Sequence, residues 1–458
     1  MSSLFGAMSI ATGALEAEQG AMNATTNNVA NANTPGYSRL QPELAEKDPI
    51  VVGSLTYGQG VDLQKIESLR DPILQRRIDE ETQQQGQLNA YVSAMQQAQV
   101  QFTTSSSDIG TQISNLFSSI NQLSTDPTNL SLRQGVLTAA GNLASAFNNT
   151  ANNLFQEQSS LDLNVKQDVQ QVNQLTAQIA QLNSQISSLQ GVSQDASALL
   201  DKRDVLIGQL SGLINVSSFQ SNNSLTLTTA NGTALVVGNQ SFNLTTQTNT
   251  SGMQDIYAQG ADITSQLTSG QLGGLIQARD QTIPGLLSNL DTLASGLANA
   301  LNTANENGYD LNGNPGGNLF VPPSASGQGY AASMAVALTD PSLIAASSDG
   351  SPGSNGNVAV LAAVQNQNVV AGQTPTDYYA NIVYNVGNDV SSASAELSSS
   401  QAILNQLQDQ LNSVSGVSLD EEAGNMVEYQ RAYDAAANVV TTINDMLYTV
   451  INMDTLTV

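Results

Sequence analysis

Apolar residues recur at three- and four-residue spacing over most of this 458-residue chain, and that helical periodicity restricts the fold more than any other feature does. At the N-terminus Leu4, Met8, Ala11, Leu15, Met22 and Val29 share one heptad stripe, with Glu18 and Thr25 at its two polar positions. At the C-terminus Met426, Tyr429, Tyr433, Ala436, Val440, Ile443, Leu447 and Val450 form a second stripe. Chain ends fray unless held, and stripes this wide need burial against each other or against another molecule. Paired ends make a narrow helical hairpin with little core of its own. Such a unit gains most by packing against neighbours and is expected to be disordered in the monomer. Docking of both helices on a globular core satisfies the same periodicity.

Between the ends, Asp71-Pro72 predicts an N-cap with proline in the first turn, followed by Leu88, Tyr91, Met95, Ala98 and Phe102 on one face. Beyond Asp126-Pro127, Ser131 and Gln134 have capping-box spacing ahead of Val136, Ala140, Leu143, Phe147, Ala151 and Leu154. Val172, Leu175, Ile179, Leu182, Ile186 and Leu189 then make a nearly strict coiled-coil-like seam. The pattern changes near Leu213. Residues 215–250 are rich in Val, Thr, Leu and Phe and are broken by Ser221-Asn222-Asn223, Asn231-Gly232 and Gly238-Asn239, which predicts short strands joined by tight turns. Helix resumes over 275–302, beginning before Pro284, and residues 308–356 read as loop. From Tyr378 the chain is helical again, with a stripe of Val390, Ala393, Leu397, Leu404, Leu407, Leu411 and Val414 broken only by Ser400. Ser418 and Glu421 predict a capping box for the last helix, whose first turn places Asp420, Glu421 and Glu422 at the positive end of its dipole.

The expected fold is mainly α. It has a terminal coiled-coil-like helical hairpin (1–40 with 417–458) and an elongated helical body (41–212 and 266–416, with a Gly/Asn/Ser-rich loop region at 308–376). A small β module is inserted at 213–265.

Composition narrows the function. Twelve Lys and Arg stand against 38 Asp and Glu, a formal charge of -26, which repels phosphate backbones and anionic headgroups; neither nucleic acid nor membrane is an expected partner. There is no Cys and no His, so disulfides, thiol nucleophiles and the usual general base are absent. No cofactor and no enzymatic activity are expected. The first 29 residues hold no Lys or Arg and no continuous apolar stretch, unlike a secretory signal, and no apolar run reaches bilayer length. Asp310-Leu311-Asn312-Gly313-Asn314 begins like a calcium loop. It has Pro315 and Val321 where glycine and a bidentate glutamate belong, so a plain Asn-Gly turn is the expectation. Glu80-Glu81 and Asp420-Glu421-Glu422 are adjacent residues that do not face one another on a helix, and capping and solvation account for them.

The sharpest local feature runs from Asn27 to Arg39, Asn-Asn-Val-Ala-Asn-Ala-Asn-Thr-Pro-Gly-Tyr-Ser-Arg. Proline pushes Thr34 out of helix, and Pro35-Gly36 suit the central positions of a type II turn. Asn31 and Asn33 are placed to hydrogen-bond nearby backbone, and Tyr37 follows directly. This stretch closely resembles the signature of the flagellar rod, hook and hook-associated axial proteins. Residues 417–422 and 428–440 resemble the C-terminal helix shared by the same group. Within it the chain resembles the FlgK family of hook–filament junction proteins. The resemblance rests on Thr34 to Arg39, on the Gln-rich helices between Asp71 and Leu189, and on the stretches Gly273–Asp280 and Gly308–Asn314. Leu40 departs from the glutamine usual in the family, and the chain is short enough to lack the larger outer β domain of longer members.

The resemblance implies a secreted structural subunit, cytoplasmic before it leaves through the flagellar type III channel. A FlgN-type export chaperone would guard the C-terminal helix. The subunits would form a ring of identical copies on the hook tip, with hook protein below and a second junction protein (hook-associated protein 3 family) and the flagellin filament above. Two other readings compete. A hook or distal-rod subunit requires β-rich structure soon after the signature. An exported enzyme on an axial scaffold requires a catalytic constellation in the insert, where no metal-ligand or nucleophile spacing is present.

Overall fold

The computed structural model describes residues 2–52, 55–103, 107–192, 194–221, 224–323 and 329–453. Asn222 and Asn223 of the expected turn, and residues 324–328 of the expected loop, lie outside them.

Helix α1 (Ser2–Asn31) is followed by a β ribbon. Its strands are β1 (Leu40–Glu46), β2 (Ile50–Val52), β3 (Leu55–Tyr57) and β4 (Val61–Ser68), with β1 paired to β4 and β2 to β3, both antiparallel. The ribbon falls where the sequence reading began the helical body, and it corrects that reading. Its strands bury one side only, against a single helix, so their alternation is weak: β4 reads Val61-Asp62-Leu63-Gln64-Lys65-Ile66 with no continuous apolar face.

The body begins with α2 (Pro72–Val100), capped by Asp71, whose carboxylate accepts from the amides of Ile73 and Leu74. Next come α3 (Ile109–Leu123) and α4 (Leu130–Gly191), a single helix of 62 residues that unites the two predicted stripes. Its N-cap is Asn129, accepting from Ser131 N, rather than Ser131 itself. Val136, Ala140, Leu143, Phe147, Val172, Ile179 and Ile186 are all buried. Helix α5 (Ser197–Leu213) leads into the strands β5 (Val216–Ser221), β6 (Ser224–Thr229), β7 (Ala234–Val237) and β8 (Gln240–Ser241), one antiparallel sheet in that order. Strands β9 (Leu244–Thr248), β10 (Gln254–Ala258) and β11 (Ala261–Asp262) form a second. Both are fastened to the outer half of α4: Asn173 exchanges two hydrogen bonds with the backbone of Leu244, and Asn183 donates to Gly238 O at 2.8 Å.

Helix α6 (Gly270–Gln277) joins α7 (Ile283–Glu306) through one widened π turn that accommodates Pro284. Glycines set the approach of α6: a Cβ on Gly274 would lie 2.2 Å from Gln87 O of α2. The loop region carries α8 (Tyr330–Ser333) and α9 (Gly356–Ala363), and buried Arg133 gathers it by donating to Pro127 O and Ile344 O, each at 2.6 Å. In the Asp310 turn the carboxylate accepts from the amides of Asn312 and Asn314, and among the described residues no acidic cluster could hold a metal ion. Helix α10 (Pro375–Ser415) returns along α2, and Ser400, the polar break in its stripe, is buried and donates to Glu81. Helix α11 (Leu419–Met453) closes the chain. No described helix is long and apolar enough to cross a membrane.

Candidate assembly joint

The two chain ends meet. Helix α11 packs antiparallel along α1, with Asn28 beside Glu422 at one end and Glu18 beside Glu428 further along. The ribbon lies on another flank of α1, where glycines make room. A Cβ on Gly13 would stand 3.3 Å from Val61 O, and one on Gly20 would stand 2.3 Å from Leu63 Cδ2. The unit therefore has three layers: ribbon, α1, α11.

Burial in this unit differs from the predicted stripes. On α1 the fully covered positions are small, Ala11, Ala17, Ala21 and Ala24, together with Thr25 and Asn28. Leu4, Met8, Leu15 and Met22 are only half-buried, and Val29 is exposed. Two partners on different flanks move the buried arc about one residue from the large apolar side chains, and alanine permits the closer approach. On α11 Ile443 is buried, Met426, Tyr429, Tyr433, Val440 and Leu447 are half-buried, and Val450 is exposed. Glu18 sits in the seam with one carboxylate oxygen buried and unpartnered, and burial together with Glu428 raises its pKa.

The signature closes the end of α1. Asn31 donates back to Asn27 O at 3.0 Å and accepts from Thr34 Oγ1 at 3.2 Å. Tyr37 N donates to Thr34 O across Pro35-Gly36, and Gly36 takes φ +75°, as a type II turn requires at its third position. Asn33 is exposed and makes no hydrogen bond among the described residues, in contrast to the expectation for it.

Beyond the turn the signature becomes a polar joint. Asn28, 1% exposed, uses its whole amide: it donates to Glu422 Oε2 (3.0 Å) and Leu40 O (2.9 Å) and accepts from Leu40 N and Tyr37 Oη (both 2.8 Å). Arg39 donates through Nε to Glu422 Oε1 and through Nη1 to Glu421 Oε2, both at 2.7 Å, while its amide donates to Ser415 O at 2.9 Å. Ser38 reaches the body, with Oγ 2.7 Å from Asp201 Oδ1 on α5. Arg70 grips the same helix through Asp201 and Asp204. Gly36 is pressed against α5 as well, since a Cβ there would stand 2.2 Å from Val205 Cγ2. Burial, with Asp201 and Glu422 nearby, pushes the Tyr37 phenol to about 12, which keeps it a donor. Under the turn a cleft of about 900 Å³ opens between α2, α5 and the end of α10. One of its walls is Asp79, 8% exposed and raised to about 7 by burial, with Asp204 and Glu80 adding to the effect against a lowering hydrogen bond from Gln75.

Thr34, Pro35 and Gly36 thus shape the turn, but Asn28, Ser38, Arg39, Asp201 and Glu422 fasten it. Capping and solvation had accounted for Glu422 in the sequence, yet it is the buried centre of the joint. Its only sequence signal was position, in an acidic trio that opens the last helix of a chain whose first basic residue, Arg39, follows the turn after its first helix.

Comparison with known proteins matches this anatomy piece by piece. Residues 8–37 match the family model described as flagella basal body rod protein, and 408–453 match that of the flagellar basal body rod FlgEFG protein C-terminal. Residues 95–320 match that of the flagellar hook-associated protein FlgK helical domain. The chain belongs to the FlgK family of flagellar hook-associated proteins. Flagellar hook-associated protein 1 of Bacillus subtilis (strain 168) is 29% identical over 500 residues, covering 99% of each chain. That of Escherichia coli (strain K12) is 26% identical over 535 residues, covering 96% of this chain and 98% of its own. The FlgK fold is also visible in the flagellar hook junction protein FlgK from Burkholderia pseudomallei, with a TM-score of 0.67 at 20% identity over 74% of this chain and all of that one. The family models for 8–37 and 408–453 bracket the two halves of the joint, Asn28 to Tyr37 and Glu421 to Glu422.

Proposed function

We propose that this FlgK-family chain is a structural, non-enzymatic subunit of the hook–filament junction that polymerises on the hook tip, as a ring of identical copies, through α1 and α11. The observation that carries the reading is the terminal unit itself. Both chain ends are gathered into one narrow unit, tied together by Asn28, Arg39 and Glu422 and to the body by Ser38 and Arg70, and most of their large apolar side chains stay half-buried or exposed. A layer built so thinly leaves apolar surface that a neighbouring copy can cover. Likeness over nearly the full length to proteins named flagellar hook-associated protein 1 supports the place of assembly.

On this reading the assembly unit comprises 1–40 and 417–458, with the ribbon 40–68 added to it. Hook protein lies below, with a second junction protein of the hook-associated protein 3 family and the flagellin filament above. A FlgN-type chaperone holds α11 before export through the flagellar type III channel. The test is deletion of the gene, with electron microscopy of the cells and assay of the medium for flagellin. Bare hooks with unpolymerised flagellin in the medium are expected. Missing hooks would instead move the chain down to the hook or distal rod, a reading the ribbon directly after the signature favours. Intact motile filaments would refute both.

A further inference from the structure

The chain has no Cys, His or Trp, so a peroxide meets no thiol, and the nine methionines are its readily oxidised side chains. Six of them, Met1, Met8, Met22, Met426, Met446 and Met453, belong to residues 1–31 and 419–453. Of the other three, Met95 and Met334 are 0% and 2% exposed in the main core and closed to solvent, and Met253 is half-buried just before β10. Met22 and Met426 are half-buried too, so part of each side chain faces water. Helix geometry brings these two together. At about 100° per residue Met22 stands on the side of α1 opposite Gly13 and Gly20, which take the ribbon, so its covered side lies against α11. On α11 Met426 follows Glu422 by four residues and precedes Tyr429 by three, on one face of the helix. In the antiparallel pair both methionines fall between the Asn28–Glu422 hydrogen bond and the Glu18–Glu428 pair, at one level of the seam.

We propose that Met22 and Met426 are an oxidation-sensitive point in the α1–α11 seam, where hydrogen peroxide converts the thioethers to sulfoxides and loosens the pairing of the two chain ends. In each step the sulfur lone pair takes one oxygen of the peroxide and the O–O bond breaks. The departing hydroxide takes up the proton carried by that oxygen and leaves as water, so the sulfur is oxidised and the peroxide reduced. The product is polar and accepts hydrogen bonds where the thioether was apolar. The seam is poorly furnished to receive it. The ionised carboxylates of Glu18 and Glu428, which follow along it, are acceptors as well, and Glu18 already has one buried oxygen without a partner. Water must then enter between the helices. The covered positions of α1 are mostly alanine, so little apolar area is left to hold them closed against it. This property belongs to a single chain, whatever it assembles into.

The test treats the purified full-length chain with dilute hydrogen peroxide, removes the excess with catalase, and follows sulfoxides by peptide mass spectrometry and amide exchange on the same sample. Met22 and Met426 should each gain one oxygen before Met95 and Met334 do. Exchange of 2–31 and 419–453 should accelerate by about tenfold, the effect of one partly buried polar group left without a partner. Residues 130–191, which contain no methionine, should exchange as before. Leucine keeps the volume of methionine and cannot be oxidised, so peroxide should leave exchange unchanged in Met22→Leu/Met426→Leu. The complementary variant Met8→Leu/Met253→Leu/Met446→Leu keeps the seam pair and should respond as the wild type does. Sulfoxide on Met22 and Met426 with unchanged exchange would overturn the proposal. So would acceleration that persists in Met22→Leu/Met426→Leu, or is lost in the complementary variant, or oxidation of the pair no faster than that of Met95.

Discussion

Arg39→Ala probes whether the signature truly holds α11 against the end of α1. Glu422 is 1% exposed and has two side-chain partners, Arg39 Nε at 2.7 Å and Asn28 Nδ2 at 3.0 Å. Removing the arginine leaves a buried carboxylate with a single neutral donor, and breaking a buried pair from one side costs about 3–5 kcal/mol. The Arg39 side chain is itself 22% exposed, so water can enter the vacated space and the lower end applies, about 3 kcal/mol. The loss falls on the α1–α11 unit, because Arg70 and Ser38 still hold the ribbon and turn to α5. Amide hydrogen exchange of the purified chain, read on peptides from 2–31 and 419–453, should then accelerate by roughly 100-fold, while peptides from 130–191 exchange as in the wild type. Arg39→Lys keeps the charge but not the two-pronged geometry, so it should fall between. Unchanged exchange at both ends in Arg39→Ala would refute the joint as the tether.

Three further outcomes follow from the same geometry. Gly36→Ala must hold φ +75° and meet Val205 Cγ2, so it should cost about 1–2 kcal/mol for the backbone alone and lower the urea midpoint. Gly274→Ala drives a methyl to 2.2 Å from Gln87 O and should lower the thermal midpoint by separating α6 from α2, at a cost of about 1–3 kcal/mol; an unchanged midpoint would contradict the close approach. Asp79 is raised from 3.8 to about 7, so the folded chain prefers it protonated. Its contribution is fully present below pH 4 and lost as pH rises to 7, at most about 4 kcal/mol. Asp79→Asn should therefore be more stable than wild type at pH 8 and level with it at pH 4, and a parallel offset at both pH values would remove Asp79 as the cause.

What could be read from the sequence was whatever depends on large side chains repeating along one helix. Helix α4 is the clearest case, since its stripes from Val136 to Ile186 need only one continuous partner surface and are buried as spaced. The ribbon was illegible for the opposite reason. It rests one side on the small residues of α1, and Gly13 and Gly20, which admit it, look like helix-weakening residues until the partner strand is in place. The same cause displaced the α1 stripe, where Ala17, Ala21 and Ala24 carry the close contacts that a hydrophobicity pattern assigns to Leu15 and Met22. Glu422 was hidden because its partners are some 380 and 390 residues away, and no local spacing encodes them.

That division bears on how the signature works. Apart from exposed Asn33, its polar groups at the joint are consumed inside one chain: Asn28 has no free amide atom, Ser38 is bound to α5, and Arg39 is committed to Glu421 and Glu422. A motif so fully satisfied internally has little hydrogen-bonding capacity left for a neighbour. It fixes the direction in which α1, α11 and the ribbon leave the body. Substitutions in the signature should accordingly loosen α1 and α11 from one another and from the turn, while the helical body stays folded.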